Sequence, residues 1–149
     1  MPDKETLERA ERDKREGKSP STQAGEFVRE EMHHVREGKH GVRSTKQAIA
    51  IGLSKARRAG VDLPSPSGNS ATPEVREKAE RDEAIGESGR KPSPRRARAT
   101  RGALKREGRA GASHRALSRQ AHSAARRRTR AQRSRTAKKA AATRKRSRS

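Results

Sequence analysis

The sequence predicts a mainly α-helical protein with a short helical hairpin, flanking helices of marginal stability and a long, disordered basic C-terminal tail. Hydrophobic residues make up 26% of the 149 residues and charged residues 39%, and Phe27 is the one aromatic residue. The clearest apolar stripes at helical spacing lie between residues 22 and 59. Segments with little apolar surface and high net charge cannot offset the entropy of ordering, so we expect much of the remainder to be disordered.

Charge is distributed unevenly along the chain. Residues 90–149 carry 23 Lys and Arg and a single acid, Glu107, for a net charge of +22, whereas residues 1–89 carry 17 basic and 17 acidic residues. A neutral body with a polycationic end is typical of an arm that binds a polyanion.

Residues 1–20 are predicted to contain a charged helix. Asp3 is placed to cap it and Gly17 to end it. Glu5 and Arg9 lie one helical turn apart with opposite charges. Because this helix has almost no apolar face, we expect it to be marginal by itself.

Residues 21–63 are predicted to form the helical hairpin. Its first helix, about residues 22–37, has an apolar stripe that consists of Ala24, Phe27, Val28, Met32 and Val35. The opposite, polar side holds Glu26, Glu30, His33 and Glu37. Glu31 lies beside the apolar stripe, where we expect it to reach a cation at the edge of the core.

The second helix of the hairpin is predicted to begin at Ser44 and to end at Gly60. Ser44 with Gln47 three residues later forms a capping box. The expected core line is Ile49, Leu53 and Ala56, with Ala48, Gly52 and Ala59 beside it. Gly52 has no side chain and would let another backbone approach closely. The hairpin holds about ten large apolar side chains, each stabilising by roughly 1.5–3 kcal/mol when buried. Ordering some 40 residues costs about 1.5 kcal/mol each, so we expect the hairpin to need a partner or a second copy.

Three further segments complete the predicted organisation. Residues 64–71 form a linker rich in Pro, Ser and Gly. Residues 72–86 form a second charged helix, with Thr72 as its cap and Pro73 at its first position. Residues 87–149 form the tail, whose Arg-, Lys- and Ala-rich composition needs no packed core.

The basic side chains of the tail are the candidate nucleic-acid contacts, because Arg and Lys neutralise phosphates and release counterions. The residues that we expect to contact phosphates are Arg95, Arg96, Arg115, Arg119, Arg126, Arg127, Arg128, Arg130, Arg133, Arg135, Lys138, Lys139, Arg144, Lys145 and Arg146. A basic stripe at helical spacing consists of Arg115, Arg119, His122 and Arg126. We expect residues 112–128 to fold into a helix once phosphates neutralise them. The alternative interpretation is a tail that only solubilises the protein.

The turn before the second hairpin helix is a second candidate phosphate contact. Lys39, Arg43 and Lys46 gather near a helix N-terminus, whose free N–H groups and dipole attract anions. The spacing of a nucleotide-binding P-loop is absent. The alternative is an ordinary solvated turn.

Several classes of function are disfavoured. The absence of Cys excludes disulfides and thiolate metal ligands. His33, His34, Glu37 and His40 do not match a metal motif, and adjacent histidines point to different helix faces, so we expect surface histidines and no metal. No nucleophile–base pair, carboxylate dyad or nucleotide loop is recognisable, so we expect neither an enzyme nor a cofactor. Lacking a signal peptide or membrane span, the chain is expected in the cytoplasm, at the nucleoid.

The segment Lys46-Gln47-Ala48-Ile49-Ala50-Ile51-Gly52-Leu53-Ser54-Lys55-Ala56-Arg57, after a Gly- and Lys-rich turn, resembles the signature of an uncharacterised family of small basic bacterial proteins. The resemblance covers about residues 22–63, and the run from Ala103 to Ala121 is similar to tails in that family. It implies a bacterial source and a helical element, and no activity.

Two parts of the tail resemble other basic proteins. Ser93-Pro94-Arg95-Arg96 is similar to the Ser-Pro-basic-basic motif of linker-histone tails, which implies binding in AT-rich minor grooves. Residues 136–146 resemble the Lys/Ala-rich tails of linker histones and bacterial histone-like proteins.

The sequence therefore predicts non-specific DNA binding through phosphate contacts, with nucleoid association or DNA compaction as the role. The near-absence of aromatic residues disfavours base stacking and favours duplex DNA. Two alternatives stay open: an RNA- or ribosome-associated basic protein, and a protein-interaction module that the tail tethers to nucleic acid. The hairpin is the expected surface for a protein partner or self-association.

Overall fold

The structure, a computed structural model, describes residues 1–68 and 71–148, which form seven α-helices, one 3-10 turn and no strand. The helices are α1 (Lys4–Arg15), α2 (Pro20–Arg36), α3 (Thr45–Arg58), α4 (Pro73–Ser88), α5 (Pro94–Lys105), α6 (His114–Arg126) and α7 (Arg130–Ser147), with the 3-10 turn at Ala110–Ala112. The prediction of a mainly α protein is confirmed. The chain divides into two compact units, residues 1–113 and the residues from His114 onward.

Helices α2 and α3 form the predicted hairpin around Phe27 and Val35, which are almost completely buried. A side chain at Gly52 would place its Cβ 2.7 Å from the Cα of Val28, so the predicted close approach is confirmed. The buried line on α3 consists of Thr45, Ala48, Gly52 and Ala56. The buried positions therefore lie one residue before the expected Ile49 and Leu53. The small residues at the buried positions allow the two helices to approach closely, and Ile49 and Leu53 lie half-buried at the edge of the contact.

The hairpin turn is closed by side-chain caps and by glycine. Ser44 accepts a hydrogen bond from the N–H of Gln47 at 3.2 Å, as predicted. The Gln47 side chain accepts from the N–H of Arg43 at 2.6 Å instead of returning to Ser44. Gly38 ends the first helix with φ +78°, a conformation that residues with a side chain rarely adopt.

Helix α1 packs against part of the predicted polar side of α2. Glu30 of that side is therefore buried, at 4% exposed, whereas His33 and Glu37 remain exposed. Asp3 precedes α1 but makes no side-chain cap, because its carboxylate contacts His34 of α2. An ion pair of 2.6 Å between Arg9 and Glu26 also joins the two helices.

Helix α4 packs against α3 and begins as predicted, with Thr72 capping the N–H of Val75 and Pro73 at its first position. The buried carboxylate of Asp82 accepts hydrogen bonds from Ser54 at 2.6 Å and Arg58 at 2.7 Å. Of the linker predicted over residues 64–71, Asn69 and Ser70 lie outside the described residues.

The disordered tail expected over residues 87–149 is not what the structure shows, because α5, α6 and α7 lie within it. Arg, Ala, Lys and Gln are strong helix formers, which explains helices in a segment without an apolar core. Thr129 and Gln132 also form a complete capping box before α7. None of the helices in the described ranges combines the length and apolar character needed to cross a lipid bilayer.

One segment of the predicted tail is built into the first unit. We call residues 104–112 the docking segment, because its carbonyl groups accept hydrogen bonds from the hairpin. Gly41 donates its N–H to Leu104 and Val42 donates to Gly108, both at 2.8 Å. The Thr45 hydroxyl donates to the carbonyl of Gly111 at 2.6 Å. A Cβ at Gly41 would overlap the carbonyl of Glu107, so this contact requires glycine.

Candidate functional site

The second unit concentrates positive charge on exposed helices. From His114 to the C-terminus the sequence contains 14 Lys and Arg and no Asp or Glu. Helix α7 carries eight of these cations in 18 residues and buries no residue. Helix α7 is therefore exposed around its whole circumference and has no side that packs on a core.

Helix α6 presents the predicted basic stripe. The four residues of the stripe, Arg115, Arg119, His122 and Arg126, are all exposed. On another side of α6, Leu117 and Ala124 are half-buried, whereas Ala121 and Ala125 are exposed.

Every predicted tail contact is an exposed side chain. Arg95 and Arg96 lie on α5 in the first unit. In the second unit the exposed contacts are Arg115, Arg119, Arg126, Arg127, Arg128, Arg130, Arg133, Arg135, Lys138, Lys139, Arg144, Lys145 and Arg146. Because these side chains are exposed, they are available to a polyanion, but exposure alone does not determine which polyanion binds.

The turn before α3 offers less to a phosphate than the sequence predicts. Lys39, Arg43 and Lys46 are exposed. The N–H groups of Gly41 and Val42 already donate to the docking segment, and that of Arg43 donates to Gln47. The N–H groups of residues 41–43 are thus occupied by protein acceptors, as is that of Gln47 in the first turn of α3, which donates to Ser44.

A second site lies between α1, α2 and α3 and was not predicted. We call it the buried carboxylate cluster, and its members are Asp3, Glu30, Glu31, His34, His40 and Lys55. The side chains of Glu30 and Glu31 are 3% and 1% exposed. Lys55 of α3 lies 2.7 Å from Glu31 and 3.3 Å from Glu30, so the prediction that Glu31 reaches a cation is confirmed.

Two histidines complete the cluster. The Nε2 atom of His40 lies 2.6 Å from Oε1 of Glu31, and the Nε2 atom of His34 lies 3.0 Å from Oδ2 of Asp3. The contact with His34 holds the pKa of the Asp3 carboxyl below its ordinary value. The prediction of surface histidines is wrong for His34 and His40, whose side chains are 12% and 13% exposed, and right for His33.

The sequence carried one signal for this cluster. Glu31 interrupts the line from Phe27 to Val35, and an acid at such a position is buried only when paired. The other members of the cluster could not be found from helical periodicity, because Asp3 precedes α1, Lys55 lies in α3 and His40 lies in a turn.

Comparison with known proteins gives one family match, which covers the hairpin. Residues 17–66 match the sequence model of a family of unknown function, DUF6496. No curated protein and no solved structure matches the chain. The DUF6496 match spans α2 and α3 and includes five of the six members of the buried carboxylate cluster, all but Asp3. It does not reach the tail, so every predicted tail contact lies outside it.

Proposed function

We propose that the protein binds nucleic acid, duplex DNA in preference, through backbone phosphates and without recognition of base sequence, and that it serves in nucleoid association or DNA compaction. The observation that supports this most is the second unit, with 14 basic residues, no acidic residue and a helix α7 that is exposed on every side. A polyanion is the natural counterpart of such a surface.

The dimensions of α7 suit a duplex. Its 18 residues span about 27 Å at the rise of an α-helix. The major groove, about 12 Å wide, admits an α-helix. Arg predominates over Lys in the tail, and the planar guanidinium suits paired contacts with phosphate oxygens.

We also propose that the disorder predicted for the tail is a property of the protein when no nucleic acid is bound. Helix α7 buries no residue, and its like charges repel one another along the helix. We expect α7 to be largely unfolded without a polyanion and to become helical when phosphates neutralise it. The expected readout is far-UV circular dichroism of the full chain, with helical signal rising as duplex DNA is added at low salt.

The salt dependence of binding tests the proposal directly. If ten of the basic side chains contact duplex phosphates, the logarithm of the association constant falls with the logarithm of salt concentration at a slope of about −9. Fluorescence anisotropy with a labelled duplex between roughly 50 and 500 mM salt measures that slope. An affinity that does not change over this range would contradict the proposal.

Charge-matched variants locate the contact. Replacing the α7 residues Arg130, Arg133, Arg135 and Arg144 by Gln reduces the magnitude of the slope by about 3.6 if all four contact phosphates. The matched control replaces four exposed arginines of the first unit, Arg12, Arg15, Arg29 and Arg76, by Gln. It changes net charge equally and is expected to alter the slope by less than about one unit. Equal effects of the two variants would refute binding through α7.

Competition identifies the preferred polymer. Duplex DNA and structured RNA, added at equal phosphate concentration, compete for the labelled complex. Stronger displacement by RNA would replace the DNA proposal by an RNA- or ribosome-associated role.

A second candidate is a protein-interaction module that the tail tethers to nucleic acid. The family match favours it, because the match covers the hairpin and none of the tail. A pull-down with the full chain, with and without nuclease, separates the two functions. A protein that is retained after nuclease treatment, and after the four substitutions in α7, supports the second candidate.

A further inference from the structure

The buried carboxylate cluster contains more negative than positive charge. Asp3, Glu30 and Glu31 contribute three carboxylates, and Lys55 is the one ammonium or guanidinium within 4.0 Å of Glu30 or Glu31 among the described residues. Asp3 is 56% exposed, so with neutral histidines the buried carboxylates Glu30 and Glu31 and the ammonium of Lys55 have a net charge of −1. Because unpaired buried charge is costly, the cluster calls for further positive charge.

Hydrogen bonding fixes which nitrogen of each histidine carries a proton. The Nδ1 atom of His40 lies 3.0 Å from the carbonyl oxygen of Gly41, which can only accept, so Nδ1 is the donor. The Nε2 atom of His34 lies 3.0 Å from the Asp3 carboxylate and is a donor for the same reason. A neutral His40 then directs the lone pair of Nε2 at Glu31, and a neutral His34 keeps the lone pair of Nδ1 free toward Glu30.

This arrangement is the one that metal-binding histidines adopt. A metal-ligating histidine almost always donates its other ring N–H to a carboxylate or a backbone carbonyl, which orients the ring. Asp3 and the carbonyl of Gly41 occupy those outer positions.

Glu31 adds an independent observation. Its two oxygens are buried and receive no hydrogen bond from any described residue. His40 and Lys55 approach them to 2.6 and 2.7 Å as ion-pair contacts, and neither contact is a hydrogen bond. A buried carboxylate without hydrogen bonds that faces a nitrogen lone pair is a mismatch for protein groups alone. A metal ion that binds both atoms, after they move apart from 2.6 Å, removes it.

We infer that Glu31, His34 and His40 bind one divalent transition-metal ion of the zinc class. Each side chain brings a ligand atom to within 4.8 Å of the other two. Tetrahedral zinc with bonds of about 2.0–2.1 Å places its ligands about 3.3 Å apart. On binding, the most distant pair of ligand atoms would close by at most roughly 1.5 Å, whereas His40 and Glu31, 2.6 Å apart, would separate by roughly 0.7 Å. Two imidazoles and one carboxylate form a set that zinc accepts, with the fourth position left to water. One divalent ion also supplies positive charge to the buried carboxylates.

The test uses the full-length protein, freed of nucleic acid by nuclease and high salt and freed of metal by a chelator. Isothermal titration with Zn²⁺ is expected to give one saturable site per chain. Co²⁺, whose visible absorption reports tetrahedral coordination, is expected to bind the same site and to be displaced by Zn²⁺.

Four variants assign the site. His40→Gln and Glu31→Gln each remove a ligand, and we expect the zinc affinity to fall by at least about 100-fold. Asp3→Asn removes only the partner that orients His34, and the expected loss is about tenfold. Asp3 is 56% exposed in its side chain, so this variant remains informative if the buried substitutions unfold the protein. His33→Gln is the matched control, an exposed histidine next to His34, and leaves the affinity unchanged.

The competing account is that both histidines are imidazolium ions and no metal binds. It predicts no saturable zinc site in the wild-type protein, or one that His40→Gln and Asp3→Asn leave intact, and either result overturns the inference. A melting temperature that zinc raises in the wild type and in His33→Gln, but not in His40→Gln, supports it.

Discussion

Replacement of Gly52 by Ala tests the packing of the hairpin. On an exposed helix the change from Gly to Ala stabilises by about 1 kcal/mol. At Gly52 the added Cβ would lie 2.7 Å from the Cα, 2.8 Å from the Cγ2 and 2.9 Å from the backbone nitrogen of Val28. Favourable contacts between carbon atoms are about 3.5–4.0 Å, so α2 and α3 must separate by about 1 Å.

The expected result is a loss of stability. Overpacking costs about 1–3 kcal/mol, and the obstacle here is mostly backbone, which cannot rotate away, so the cost lies toward the upper end. After subtracting the gain in helix propensity, Gly52→Ala lowers the free energy of unfolding by about 1–2 kcal/mol. For a unit of this size the melting temperature falls by about 4–8 °C.

The assay is thermal unfolding followed by far-UV circular dichroism, with Gly25→Ala as the matched control. Gly25 lies in α2, and a Cβ there would meet nothing within 4 Å. We expect this control to raise the melting temperature by about 4 °C. If Gly52→Ala melts at or above the wild-type temperature, the close approach of the two helices is refuted.

Two further predictions concern other contacts of the first unit. Burial opposes ionisation of Asp82, but hydrogen bonds from Ser54 and Arg58 outweigh it and hold its pKa below the ordinary 3.8. A carboxyl whose folded pKa is lowered stabilises the fold above its unfolded pKa and loses that effect as the pH falls through the folded value. Asp82→Asn should therefore reduce the free energy of unfolding in urea at pH 7 and have a shrinking effect below pH 3.8; a constant difference would exclude this pairing. Gly41→Ala should displace the docking segment and accelerate amide exchange over residues 104–112, measured by mass spectrometry, whereas the control Gly108→Ala, whose Cβ would meet nothing within 4 Å, should not. Equal exchange in the two variants would contradict the contact with Gly41.

The parts of the fold that depend on local sequence could be predicted. The apolar stripe around Phe27, the cap at Ser44 and the start of α4 at Thr72 and Pro73 each follow from neighbouring residues. Gly52 could be predicted as a point of close approach because its lack of a side chain has few other uses inside a helix.

The parts that depend on distant segments could not be predicted. From the sequence of α2, Glu30 is predicted on the polar side, but α1 covers it. The sequence of α1 or α2 alone does not predict that the two helices pack there. The docking segment bonds mainly through backbone carbonyls, which leave little trace in the side-chain pattern. Low apolar content predicted disorder for the tail, whereas high helix propensity of Arg and Ala favours the helices there, and composition does not decide between the two.

The docking segment determines the effect of proteolytic cleavage in α5. Gly86 packs against Arg57, Leu104 near the end of α5 accepts a hydrogen bond from Gly41, and α5 itself buries no residue. Cleavage at an exposed arginine of α5 would therefore cut the chain between these two contacts. After the cut, only the non-covalent contacts of the docking segment would hold it to the hairpin, and its binding there would depend on protein concentration.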